Sequence, residues 1–383
     1  MDERELADLL KRYKNGKCSP EEVALVESII FPGDDQEIKD QTQAELDDKA
    51  AVWHNLNELT QRQPKRGGIY RVLPYAAAAA VIIGAIIVFA TKQNPSVKEN
   101  NQIVRINDVA PGTNRATLKL ADGSVVDLEQ QANGKIATQG DAQIRKSGSG
   151  KLIYASDAEL ASKTGSPVFN TLTTPKGGQY ELTLPDGTKA WLNAASSISF
   201  PTNLGSSATR ELSITGEVYF EVARDQSRPF RVSSATQTVE VLGTHFSINS
   251  YADEPQVKTS LLEGSVRITP HTLASGIVLK PGQQALLNQN KKIEIVPVDE
   301  SEIAWKNGLI RVRNADLKTV MRQLARWYDL EVVYQGQISN ESINAAVPRN
   351  SRLATVLELL SGIGVEFKIE QTATGKKIIV QGN

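Results

Sequence analysis

Glu181-Leu-Thr-Leu-Pro-Asp-Gly-Thr-Lys-Ala-Trp-Leu192 alternates apolar and polar residues on both sides of Asp186-Gly187. Alternation with period two, broken by Asp-Gly, is the signature of a β-hairpin. The same pattern occurs earlier as Thr117-Leu-Lys-Leu-Ala-Asp-Gly-Ser-Val-Val-Asp-Leu128, around Asp122-Gly123. An imperfect internal repeat of one hairpin predicts a layered, solenoid- or sandwich-like all-β body. Between the two copies, residues 131–151 are rich in Gly, Ser, Gln and Lys, a composition that reads as a loop.

Downstream the alternation continues in short segments: 211–222, 230–232, 239–242, 245–251, 257–261, 266–268, 277–279 and 293–296. Turn sequences such as Leu262-Glu-Gly-Ser265 and Lys280-Pro-Gly-Gln283 separate them, and no helical period intervenes. Residues 103–300 are therefore expected to be β-rich.

Upstream the character of the chain changes. Residues 72–91 carry no charge and, as a helix, would span roughly 30 Å, which predicts one transmembrane helix. Arg62, Lys65, Arg66 and Arg71 precede it and only Lys92 and Lys98 follow closely, so the N-terminus is expected in the cytoplasm. Within residues 1–62, Leu6, Leu9, Leu10 and Tyr13 fall at helical spacing. Ser19-Pro-Glu-Glu22 is a helix start, ahead of Leu25 and Ile29, and Leu46, Trp53 and Leu56 mark a third stripe. A segment this short buries little, so it is read either as a self-contained bundle or as a clamp gripping a partner through Leu6, Leu10, Leu25, Ile29 and Trp53.

At the other end, residues 309–382 follow the order β-α-β-β-α-β-β, a small α+β domain. The expected fold class is thus multi-domain: all-α N-terminal helices, one transmembrane helix, an all-β middle and a small α+β C-terminal domain.

Leu184–Ala194, Gly216-Glu-Val-Tyr-Phe-Glu-Val222, Pro229-Phe-Arg-Val232, Val241-Leu-Gly-Thr-His-Phe246, Leu262-Glu-Gly-Ser-Val266 and Pro281-Gly-Gln-Gln-Ala285 together resemble the periplasmic domain of FecR-type regulators, closely over about 170–300. Arg326-Trp-Tyr-Asp329 and Val347-Pro-Arg-Asn350 look like the domain that follows it, similar to the short signalling domain of secretins and TonB-dependent receptors. The resemblance implies an anti-sigma factor spanning the inner membrane once. It would bind an extracytoplasmic-function sigma factor in the cytoplasm and receive a periplasmic signal from a TonB-dependent outer-membrane transducer. It also implies a candidate self-cleavage bond, Gly243–Thr244, where the threonine hydroxyl would attack the preceding carbonyl. The simpler reading, favoured here, is a bend between two strands, and His245 next to it points to the opposite strand face.

Other chemistry is poorly represented. A net charge of -1 with 40% hydrophobic residues offers no basic surplus for direct nucleic-acid binding. The three histidines, His54, His245 and His271, lie on separate segments without ligand spacing, so no metal is expected. Gly148-Ser-Gly-Lys151 lacks the first glycine and the closing Ser/Thr of a phosphate loop, and no cofactor is expected. Asp122 and Asp186 read as turn formers, and no catalytic triad motif is present. Cys18 is the single cysteine, so no disulfide is expected. The competing functional class is an envelope-anchored scaffold that holds glycan or cell wall on Trp191, Trp305 and Trp327.

Overall fold

The computed structural model describes residues 104–105, 108–139, 142–148, 150–156, 168–273, 275–338, 341–361, 365–373 and 375–382. Both Asp-Gly segments form hairpins: Thr117–Lys119 pairs with Val125–Asp127, and Tyr180–Thr183 with Lys189–Leu192. The two turns are closed alike. Ser124 donates its amide and hydroxyl to Asp122, and Thr188 does the same to Asp186. Gly123 and Gly187 take φ of 86° and 84°, values that a side chain resists.

Eighteen strands from Thr117 to Pro297 join one continuous sheet. Hydrogen bonding folds it into two layers, with the first hairpin in one and the second in the other. Strand Arg210–Glu221 belongs to both: its first half pairs with Ser196–Pro201 and Phe230–Ser233, its second half with Lys189–Leu192 and His245–Ser250. The switch falls at Gly216, whose φ is 76° and where an added Cβ would lie 2.7 Å from the Ala195 carbonyl. Between the layers lies an apolar core that includes Leu118, Leu172, Val232 and Ile268 from one side and Leu182, Phe220, Phe246 and Leu261 from the other. One ion pair is buried in this body: Arg210 with Asp186, both 1% exposed. Asp186 therefore does more than shape its turn, unlike Asp122.

The segment expected to be a loop contains strands Gly134–Gln139 and Ala142–Lys146, and a third strand, Lys151–Ser156, starts at its last residue. Its polar composition hides strands that are covered on one face only: Ala142, Ile144, Leu152 and Tyr154 are buried, whereas Gln143 and Ile153, which alternate with them, are half-buried.

After a 3-10 turn, Glu300–Asn307, the C-terminal domain runs through strand Leu309–Ala315, helix α1 (Leu317–Tyr328), strands Leu330–Gln335 and Ile343–Pro348, helix α2 (Leu353–Ser361) and strands Glu366–Thr372 and Gly375–Gln381. Asp316 caps α1, accepting the Thr319 amide at 2.6 Å. Leu317, Val320, Met321, Leu324, Val356 and Leu357 pack together beneath the sheets. Val104–Arg105 adds to this domain's sheet as an edge strand on Glu366–Thr372.

The expected fold class needs correction. Among the described residues the chain is mostly strand, with two α-helices and a 3-10 helix, and no helix is long and apolar enough to cross a membrane. Helix α1, the longer, has 12 residues and reaches about 18 Å, well short of a bilayer core. A composition of all-α region plus transmembrane helix does not fit; among the described residues the period-two patterning has paired most of the chain into sheet. The helices expected within 1–62 and the span at 72–91 lie outside the described residues.

Candidate functional site

Helix α1 has two faces. Its apolar stripe enters the C-terminal core, whereas Arg322 and Arg326, one turn apart, reach the β body. Arg322 donates to Glu254 Oε2 from Nε at 3.0 Å and Nη2 at 2.9 Å. Arg326 pairs with Glu254 Oε1 and, at 3.3 Å, with Asp253, and its guanidinium lies 3.9 Å above the Tyr251 ring. Tyr251 donates its hydroxyl to the Ala194 carbonyl at 2.6 Å, which ties this face to the Asn193 turn.

A third arginine completes the joint. Arg349 follows strand Ile343–Pro348, stacks 3.8 Å over Trp327 and donates to Asn193 Oδ1; the Asn193 amide donates to Glu217 Oε2 at 2.6 Å. Trp327 Nε1 donates to the Arg349 carbonyl at 2.8 Å, so ring and cation fix each other. Burial pushes Glu217 up to about 7 against the pull of Asn193, and burial brings Arg349 down to about 10, still charged at neutral pH. Desolvation likewise raises Tyr251. The groups enclose a polar cavity of about 60 Å³ lined by Asn193, Glu217, Asn249, Tyr251, Arg326 and Arg349. Around it, Lys258 pairs with Glu302 and Lys306 with Glu221, each at 2.6 Å. Among the described residues no cluster of His, Cys, Asp or Glu is placed to hold a metal ion.

All three tryptophans of the scaffold reading are engaged by the chain's own cations. Lys306 sits 4.3 Å over Trp191 and 4.2 Å over Tyr219, and Arg349 faces both Trp305 and Trp327.

Gly243–Thr244 lies elsewhere, in a bend before strand His245–Ser250, where the pairing with Gln256–Glu263 shifts register. An added Cβ on Gly243 would lie 2.7 Å from Arg224 Cα, so the approach of the two chains admits glycine only. Thr244 is buried; its hydroxyl donates to the Ser265 carbonyl at 3.1 Å and its carbonyl accepts from Val222. His245 turns instead to Glu263, at 3.2 Å. The bend borders an open cleft of about 460 Å³. The candidate partner-binding residues Leu6, Leu10, Leu25, Ile29 and Trp53 lie outside the described residues.

The quoted motifs contain Arg326, Trp327, Arg349, Asn193 and Glu217, but sequence reasoning did not join them to one another and did not single out Tyr251 or Glu254. One signal was available: Glu217 is an acid directly before Val218-Tyr-Phe220, where alternation fails because the strand is covered on both faces.

The comparisons agree with this division. The family model "FecR protein" matches residues 170–267, and "FecR, C-terminal" matches 309–380. Two crystal structures of a proposed anti-sigma factor from Parabacteroides distasonis ATCC 8503 are similar, with TM-scores of 0.50 and identities of 26% and 25%. Each match covers 56% of this chain and 99% of the other. No curated protein matches. With both domain models matched in order, the chain carries a FecR domain followed by a FecR C-terminal domain and is similar in sequence and fold to FecR-type anti-sigma factors.

Proposed function

We propose that this anti-sigma factor relays a periplasmic signal, from a TonB-dependent outer-membrane transducer, to an extracytoplasmic-function sigma factor. In this reading the chain lies at the inner membrane, its N-terminus in the cytoplasm and its C-terminus in the periplasm. Leu6, Leu10, Leu25, Ile29 and Trp53 hold the sigma factor, and the C-terminal domain receives the transducer. It works as a regulator and not as an enzyme.

The observation that carries the receiver role is the joint. A domain held through paired charges and stacked cations, with little shared apolar core, is built to be repositioned by a partner that competes for those groups. The scaffold alternative loses its main support, since the rings it needs are covered by Lys306 and Arg349.

Two experiments test the reading. Full-length protein should retain the sigma factor on affinity purification, and Leu25→Asp or Trp53→Ala should release it; retention by both variants at wild-type strength removes the clamp. Truncation after residue 308 should leave a sigma-dependent reporter blind to the inducing substrate or permanently on, and unchanged induction removes the receiver role.

A further inference from the structure

The chain enters its described body through the joint itself. Val104 and Arg105 pair antiparallel with Gln371 and Glu370 in the C-terminal domain. Asp108 then binds the start of α2, accepting the Ala354 amide at 2.9 Å and pairing with Arg352. The Val109 carbonyl accepts the Leu353 amide at 3.0 Å, and the Val109 side chain is buried in the C-terminal core. Gly112 passes beneath Trp327, whose ring would lie 2.6 Å from an added Cβ. Thr113 finally bonds the β body, its amide to the Gly177 carbonyl at 2.8 Å and its carbonyl to the Gln179 amide at 3.1 Å. Gly177 in turn donates its amide to the Arg326 carbonyl at 2.7 Å.

We propose that residues 104–105 and 108–113 form a strap by which the joint controls the chain preceding it. While Arg322 and Arg326 hold Glu254, the strap stays fastened to the C-terminal domain; when the joint opens, the strap comes away from that domain and remains with the β body. The reason is reach. Four peptide steps separate Val109 from Thr113 and span at most about 14 Å, so little domain separation can be absorbed between them. One attachment must yield. On the β-body side, Thr113 leads within a few residues into the covered strand Thr117–Lys119. The C-terminal hold is a two-residue pairing at a sheet edge, the Asp108 cap on α2 with its Arg352 pair, and the Val109 contact with Leu353 and the core; none of these continues into a covered strand as Thr113 does, and edge pairings and helix ends are the contacts that open first. Release of the strap frees the segment that leads toward the sigma-binding end. That last step rests on the function proposed above, whereas the strap itself does not.

The test uses the full chain in a Cys18→Ser background. Glu254→Gln, and separately Arg322→Ala as a milder opening of the joint, should each raise hydrogen exchange across residues 104–109 by about tenfold or more while the β-body strands keep their protection. Val104→Cys with Gln371→Cys should form a disulfide that cancels the increase until a reductant is added. Unchanged exchange in both joint variants, or failure of the disulfide to form in folded protein, overturns the strap. A sigma-dependent reporter separates the two readings. Output that shifts with Glu254→Gln and returns on cross-linking supports the relay, and strap exchange that responds while output never does overturns the proposed function but leaves the strap standing.

Discussion

The β body and the joint beside it bury comparable groups by opposite means. In the body, Phe220 stacks on Phe246 with centroids 5.2 Å apart and meets Phe230 at 5.9 Å, inside a core of aliphatic side chains. In the joint, Arg326, Arg349, Glu217 and Glu254 are each nearly inaccessible, and Ala194 is the β body's residue in the C-terminal core. Apolar burial is non-directional and adds up from many small contacts. A buried charge is stabilised only while its specific partners stay in place, and its loss of solvent is a standing cost. The first arrangement suits a platform that must not change. The second suits a contact that has two states, because whatever replaces one partner releases the rest.

The largest effect should come from the platform. Phe220→Ala removes a fully buried ring between two others and should cost about 4 kcal/mol, read as a lower denaturation midpoint of the β body. Arg326→Ala should cost about 3 kcal/mol, and its signature differs: Glu254 loses a buried partner, and calorimetry should resolve the C-terminal domain as a separate, earlier transition. If Phe220→Ala splits the transition and Arg326→Ala does not, the contrast between core and joint is wrong.

Glu217 sharpens the comparison through pH. Burial raises its folded pKa to about 7, above its ordinary value of 4.5, so its contribution is fully present below about 4.5 and is lost as pH rises through about 7. Wild-type protein should therefore lose on the order of 2 kcal/mol of joint stability between pH 5 and pH 8. Glu217→Gln should flatten that slope and be the more stable protein at pH 8, as measured by thermal melts across the range. The smallest effect is expected at the bend. Thr244→Ala removes one hydrogen bond to Ser265 and should cost about 1 kcal/mol. On a denaturing gel, both proteins should run as one full-length band after long incubation; two fragments from wild type alone would establish self-cleavage at Gly243–Thr244.

Much was legible in the residues themselves. The Asp-Gly turns and their flanking alternation specified two hairpins, because a turn that needs positive φ at glycine and a strand that needs period two are local demands. The element order of the C-terminal domain was legible for the same reason, since Asp316 caps its own helix and the apolar stripe of α1 has helical spacing. Only tertiary structure decided the rest. That the two hairpins lie in opposite layers depends on where Arg210–Glu221 bends, at a glycine whose necessity comes from the Ala195 carbonyl opposite it. That Gly134–Gln139, Ala142–Lys146 and Lys151–Ser156 are strands depends on a core that covers one of their faces. The joint joins Asn193 to Arg349 and Glu254 to Arg326 across more than 70 positions of sequence. No local pattern carries such a pairing, because a charge has no preference for its partner's place in the chain, only for its place in space.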